Sequence, residues 1–348
     1  MRRRWVDGTA FVLYNTPMKK ILLFQRFFIY LLSAAVVCPL LSGCAASDSK
    51  PYTETQYLLD TVCTIEAGGD TAEDAVKEAF SAIASLQQRT DRFSDTSVVT
   101  EINRAPAGVP IPLDDDLYTI LDTALAVAEA SGGAFDITVA PAAALWDFKS
   151  ETPEVPDADA LAQAAARVDY RSLTLDREAQ TVTKRADDTE IDLGGAAKGY
   201  AADLAHRILA EADVTYGIID LGGNIYVFGQ NPRTADGRFS IGIQTPFAEN
   251  GTYDRVETVD EGAVVTSGCY QRYFEKDGVL YHHILDPATG YPVQNGVASV
   301  SVTADAALLA DCLSTACFVL GQGAGDALAE TFGAKTIWIM QDTVPPSE

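Results

Sequence analysis

Asp311 and Thr315 lie four residues apart in the apolar stretch Ala304–Leu320. That spacing puts them on one face of a helix. An Asp among Leu308, Leu309, Cys312, Ala316 and Val319 is costly unless something pairs it. A carboxylate beside a hydroxyl is a pair of hard oxygens, which suits Mg²⁺. Ser314 offers another oxygen but points aside. An Asp that caps or pairs locally accounts for the same spacing. The chain has 3 His, and two are adjacent in Tyr281-His282-His283-Ile284-Leu285. This reads as a strand ending in Asp286-Pro287-Ala288-Thr289-Gly290, a turn with its expected residues. Neighbours on a strand face opposite sides, so one His at most faces a given cleft. That is a poor chelate but leaves room for one general base. A surface His pair is the plain alternative.

Asp192-Leu193-Gly194-Gly195-Ala196-Ala197-Lys198-Gly199 reads as a strand running into glycines, followed by a helix over Tyr200–Ala212. Free amides at a helix start favour an anion, and Lys198 adds positive charge. The pattern is neither GxxxxGK[ST] nor GxGxxG, and a tight structural turn explains it equally. The pentapeptide Ile191–Gly195 recurs as Ile219–Gly223. Both copies read as a strand ending in a Gly pair, which lets backbone approach a ligand closely. Coincidence of strand-end chemistry is the competing reading. In Gly133-Ala134-Phe135-Asp136-Ile137-Thr138-Val139 the aromatic ring after a Gly pair suits stacking on a flat ligand, though a core Phe is the default.

These residues need elements to hold them. Tyr57–Ala67 reads as a strand. Ala72–Arg89 carries Ala75, Val76, Ala79, Phe80, Ile83 and Leu86 at helical spacing. A Pro-rich link, Ala105–Pro112, leads to a helix at about Asp115–Ser131, which Gly132-Gly133 ends. An acidic, Pro-containing loop covers Ser150–Asp159. Short strands alternate with turns through Leu173–Leu193, Tyr216–Phe228, Phe239–Thr245 and Val256–Val265, and Thr336–Met340 closes the chain. Strands and helices mix without strict βαβ alternation, so the expected class is α+β. His206, in an Ala- and Leu-rich helix, reads as structural.

The chain has 348 residues, 47% apolar and 21% charged, which excludes a disordered tail and a multi-span membrane protein. With 25 Lys+Arg against 49 Asp+Glu the net charge is −24, so nucleic acid is excluded as an expected partner. Residues 1–43 differ from the rest. Lys19, Lys20 and Arg26 precede an apolar run, Phe27–Leu41, too short to span a bilayer, which needs about 20 residues. This is the shape of a signal peptide, and Met18 is a more usual start than Met1. Leu41-Ser42-Gly43-Cys44 resembles a bacterial lipobox, with Cys44 as the lipidated residue; an ordinary cleavage near Ala45 is the alternative. The expected organisation is a leader over 1–43, a lipidated tether over 44–54 and one domain over 55–348. The expected location is the extracytoplasmic face of a bacterial cell membrane, held by the lipid. Cys63, Cys269, Cys312 and Cys317 lack zinc-site spacing. They read as small core residues, with a disulfide among them left open.

Taken in order, several stretches resemble the ApbE family of FAD:protein FMN transferases. They are Thr90–Asp95 with Asn103, Gly133–Val139, Asp192–Asp203, Asp220–Asn224, Thr266-Ser267-Gly268, His283–Gly290, and Asp311 with Thr315. The resemblance runs from about Leu59 to the C-terminus. It implies a T-fold-like α+β architecture and FAD as substrate with Mg²⁺. It also implies transfer of FMN to a Thr or Ser hydroxyl on a target subunit of a membrane redox complex, with release of AMP. By position, the resemblance places Asp311, Thr315 and the carbonyl of Gly195 on Mg²⁺. It places Leu59, Phe93, Ala134, Phe135, Asp136, Asp192, Lys198 and Ile284 around FAD, and makes His283 the base. Cys269 stands where a polar residue is usual, and Asp60 where many members have Gly. An FAD pyrophosphatase, with water as acceptor, and a non-catalytic flavin-binding lipoprotein are the competing readings.

Overall fold

The computed structural model describes residues 50–341; the expected leader and the Cys44 lipidation site lie outside the described residues. Tyr52–Leu58 (β1) and Thr61–Gly68 (β2) form an antiparallel hairpin. The expected single strand over Tyr57–Ala67 is thus interrupted. Leu59 and Asp60, with φ of 52° and 59°, make the two-residue turn. Such turns favour Gly or Asn, and neither is present, so the break gave no compositional signal. Helix α1 (Ala72–Thr90) buries the expected face: Phe80, Ile83 and Leu86 are at most 1% exposed. Each such side chain contributes about 1.5–3 kcal/mol by leaving water.

Short elements follow: α2 (Val98–Arg104), β3 (Ile111–Pro112), α3 (Asp115–Ala130), α4 (Ala140–Ala143), α5 (Ala158–Ala165), β4 (Leu173–Asp176) and β5 (Thr181–Lys184). Helix α6 (Ala197–Glu211) leads into β6 (Tyr216–Leu221) and β7 (Asn224–Gly229). The hairpin of β8 (Phe239–Gln244) and β9 (Tyr253–Val259) comes next, then β10 (Gly262–Gly268). A further hairpin, β11 (Tyr273–Lys276) with β12 (Val279–His282), precedes β13 (Val297–Ala304). Helices α7 (Ala307–Leu320) and α8 (Gln322–Thr331) and strand β14 (Lys335–Met340) end the fold.

The main sheet has seven strands in the order β1-β2-β6-β7-β10-β13-β14. Every pairing in it is antiparallel. Side chains of β6 are buried at every position, so both faces of the sheet centre are covered. Helices α1, α6 and α7 pack on this sheet. The class is α+β, as expected. A smaller apolar cluster gathers Trp146, Phe274 and Leu285 beneath the β11–β12 hairpin. Trp146 Nε1 donates to the Gly290 carbonyl at 2.8 Å, tying that cluster to the turn after the His pair. His206 stacks on Tyr226 with ring centroids 4.4 Å apart, the structural role expected of it. All four described cysteines are buried and free, which closes the disulfide alternative and buries Cys269.

Candidate active site

The α6 and α7 helices meet at glycine. A Cβ on Gly199 would lie 2.4 Å from the Ala307 carbonyl oxygen and 2.7 Å from Asp311 Cβ. Without one, the Gly199 N–H donates to Asp311 Oδ2 at 2.9 Å. That bond offsets the cost of burying Asp311, which is 3% exposed. The other oxygen, Oδ1, faces Lys198 Nζ at 3.8 Å, beyond hydrogen-bond length. Helix α7 has no side-chain cap of its own. Asp203 on α6 supplies it: the Ala307 and Leu308 amides donate to its two oxygens at 2.7 and 2.8 Å. Burial, opposed by those two bonds, pushes the Asp203 carboxyl up to about 6. The cap therefore comes from tertiary contact, which is why α7 starts three residues later than its apolar pattern.

One turn beyond Asp311, Thr315 Oγ1 lies 3.4 Å from Ser267 Oγ on β10. Ser267 in turn meets Ser314 Oγ at 2.8 Å, and Ser314 donates to the Asp311 carbonyl at 2.9 Å. Ser314 is thus spent inside the helix. Ser267 was not singled out by spacing, because a lone Ser at a strand end carries no local signal. A Cβ on Gly195 would stand 3.6 Å from Thr315 Oγ1 and 3.1 Å from Phe135 Cε2. Asp311 and Thr315 on α7 and Gly195 before α6 are therefore brought together from two segments. Oδ1, a hydroxyl and a backbone carbonyl are hard oxygens, and one carboxylate with phosphate and water is an ordinary Mg²⁺ environment. The residues present fit the ion.

The helix α6 begins at Ala197, so Lys198 and Gly199 lie in its first turn rather than before it. Ile191–Gly195 is not a strand. The Asn103 side chain takes both backbone groups of Ile191, accepting its N–H at 2.7 Å and donating to its carbonyl at 3.0 Å. Asp192 N–H goes to the Ile137 carbonyl at 2.7 Å. No ladder partner remains for this copy of the pentapeptide, whereas Ile219–Leu221 belongs to β6. Asp220, in that second copy, is buried; burial pushes its carboxyl up to about 7, against the amides of Gly223 and Gly222. Lys184 is also buried, its ammonium donating to the carbonyls of Asn103, Asp187 and Thr189 at 2.8–3.0 Å.

The two histidines divide as strand geometry requires. His282 is fully buried, with Nε2 2.8 Å from the Val293 carbonyl and Nδ1 accepting from the Ile284 N–H at 3.3 Å. That network assigns the proton to Nε2 and leaves no catalytic capacity. His283 is half-buried, and its Nδ1 is sealed from solvent with no hydrogen-bond partner. Burial first, then the charges of Arg272, His282 and Lys198, push its pKa down to about 3. Its ring is neutral at pH 7, as a proton acceptor must be.

The remaining expected residues differ in what their side chains leave free. Asp192 Oδ2 lies 3.0 Å from Arg92 Nε without hydrogen-bond alignment, and its Oδ1 accepts from Gly194 N–H at 2.8 Å. The Arg92 guanidinium sits 4.5 Å from the Phe93 ring centroid, and Phe93 is 82% exposed. An aromatic ring held that open by a cation is available for stacking. Asp136 is used within its own loop: Oδ1 accepts from Thr138 N–H and Oγ1, and Oδ2 from Tyr170 N–H, at 2.6–2.8 Å. Its carboxylate is spent, and Phe135 is 4% exposed within the main core, so its ring packs as a core Phe rather than standing open for stacking, and this stretch offers chiefly backbone. Leu59 is half-buried, its N–H donating to Gln87 Oε1 at 2.6 Å. Ile284 is buried, next to His283 in the chain.

The ApbE family model matches residues 59–338 of this chain. An FAD:protein FMN transferase of Treponema pallidum is 34% identical over 309 residues, covering 84% of this chain and 85% of that protein. One from Klebsiella pneumoniae is 34% identical over 281 residues, covering 81% and 86%. The crystal structure of the ApbE protein from Thermotoga maritima superposes with a TM-score of 0.77 at 31% identity, covering 84% of this chain and 95% of that one. The flavinyl transferase ApbE of Pseudomonas stutzeri gives 0.73 at 29% identity, with 84% and 91% covered.

Proposed function

The chain belongs to the ApbE family and is a transferase of the FAD:protein FMN transferase kind; from that premise we propose that it moves FMN from FAD onto a Thr or Ser hydroxyl of a membrane redox subunit, with Mg²⁺, releasing AMP. One observation carries this reading. Lys198 stands 3.8 Å from the buried Asp311 carboxylate, and its charge reaches the unpartnered imidazole of His283. A metal-binding carboxylate, a phosphate-binding cation and a neutral base thus share one centre.

Each residue then has a task. His283 takes the proton from the acceptor hydroxyl. The hydroxyl oxygen bonds to the FMN phosphorus while the bond from that phosphorus to the bridging oxygen breaks. AMP leaves with the bridging oxygen and the electron pair. Lys198 holds the pyrophosphate at the α6 start, where the positive end of the helix dipole favours an anion. Mg²⁺ on Asp311, Thr315 and the Gly195 carbonyl would offset phosphate charge, the main demand of phosphoryl transfer. Phe93 offers an aromatic face to a flat ring of FAD, with Leu59 and Ile284 as apolar walls and Phe135 packed behind Gly195.

The address of the protein is part of the proposal. A lipidated Cys44 would place the domain on the extracytoplasmic face of a bacterial membrane, next to its target. The test is intact-mass measurement of a Thr-bearing acceptor fragment incubated with the domain, FAD and Mg²⁺. A gain of one FMN residue (FMN less one water), lost on chelation, is expected. AMP and FMN with an unmodified acceptor would favour the pyrophosphatase instead. Bound FAD with no turnover would leave a flavin-binding lipoprotein.

A further inference from the structure

The tip of the β1–β2 hairpin holds two non-glycine residues, Leu59 and Asp60, in the left-handed region. Leu there costs on the order of 1 kcal/mol or more. Something must hold the tip. Asp60 Oδ2 pairs with Arg272 Nη2 at 2.8 Å and with Lys149 Nζ, and Tyr57 OH donates to Oδ1 at 3.1 Å. One carboxylate therefore joins three segments: the hairpin tip, the loop after Trp146 and the loop between β10 and β11. Burial raises the Asp60 pKa, but Lys149 and Arg272 lower it by more, so the carboxylate is ionised at neutral pH. The same Arg272 accepts the His283 N–H on its carbonyl at 3.1 Å. The chain of contacts runs from Leu59, beside the expected flavin site, to the base.

We propose that Asp60 is a positioning residue: its double ion pair with Lys149 and Arg272 latches the strained Leu59–Asp60 turn over the mouth of the FAD site, with Arg272 also holding the backbone of His283. This rests on the reading of FAD as substrate. The pairs are 39–54% exposed on their side chains, so they are modest in energy and open to salt. A latch of that strength can open to admit a large dinucleotide and close behind it.

Asp60→Gly and Asp60→Asn test the idea together. Glycine removes the carboxylate and also relieves the left-handed φ, so the variant should melt no lower than wild type. Asparagine tolerates the same φ but carries no charge. Both should raise KM for FAD about five-fold, the loss expected of a small exposed ion cluster, with kcat within about two-fold. The gap from wild type should narrow in about 1 M NaCl. Hydrogen exchange of the amides at Leu58–Thr61 should quicken in both variants, with or without FAD. The latch is refuted if Asp60→Asn behaves as wild type, if exchange is unchanged, or if the KM effect survives high salt undiminished. A kcat loss that tracks a lowered melting point would make Asp60 merely structural. Should wild type neither bind nor turn over FAD, the substrate reading fails, and exchange still decides the latch.

Discussion

Replacing Gly199 with Ala adds one methyl group where the structure has no room. Its Cβ would stand 2.4 Å from the Ala307 carbonyl oxygen, 2.8 Å from the Ala307 carbonyl carbon and 2.7 Å from Asp311 Cβ. All three are backbone or near-backbone atoms, so no flexible side-chain end can swing away. Ordinary contact begins near 3.5 Å, so α6 and α7 must part by roughly 1 Å. Overpacking of this kind costs about 1–3 kcal/mol. Ala is a better helix former than Gly by about 0.8–1.0 kcal/mol, which returns part of that. A net loss of about 0–2 kcal/mol lowers the melting point by only a few degrees. Activity should suffer more. Parting the helices stretches the 2.9 Å bond from Gly199 N–H to Asp311 and shifts the carboxylate from Lys198. A displacement of about 1 Å at a reacting centre costs on the order of 10²-fold in rate. Gly323→Ala is the control, since Gly323 lies in α8 with nothing within 4 Å of its Cβ. Melting by circular dichroism and AMP release from FAD, measured on both variants, give the result. Gly199→Ala with turnover near wild type would refute the close approach as the reason for glycine at that position.

Asp311→Ala should lower metal-dependent turnover by three orders of magnitude or more, because it removes the only side-chain carboxylate of the proposed ion site; titration of AMP release against Mg²⁺ checks this. His283→Ala should keep FAD binding, followed by flavin fluorescence, while transfer to the acceptor falls about 10²–10⁴-fold. Asp203 yields a pH effect. Its folded pKa of about 6 lies above the ordinary Asp value of 3.8, so the stability tied to its proton is complete below pH 3.8 and lost as pH rises through 6. Urea unfolding of wild type and Asp203→Asn should therefore show wild type losing ground across that window. The shift corresponds to at most about 3 kcal/mol, reduced by its partial exposure; a constant difference would contradict it.

Helical periodicity was the most readable signal. The pattern Ala75 to Leu86 became α1 with the same buried face, and Asp311 and Thr315 share one face of α7 as their spacing demands. Turn chemistry was readable where the usual residues mark it. In Asp286–Gly290 the Gly290 N–H reaches the Asp286 carbonyl at 2.7 Å. It failed at Leu59–Asp60, where ion pairs rather than turn residues hold the left-handed backbone.

The sequence alone determined which residue types are available: one carboxylate–hydroxyl pair at helical spacing, one cation after a Gly pair, and two adjacent histidines of which a cleft could use one. Its order of segments also determined the family. Tertiary structure alone decided which histidine is left without a partner, since only the packing of Val293 and Ile284 occupies His282. It decided that Asp136 is spent within its loop and that Asn103 prevents Ile191–Gly195 from pairing as a strand. It decided too that Asp203, over 100 residues away in the chain, caps the helix bearing Asp311. The physical reason is common to all of these. Local spacing governs which side chains share a face, whereas hydrogen-bond satisfaction of a buried group depends on partners that chain folding brings from elsewhere.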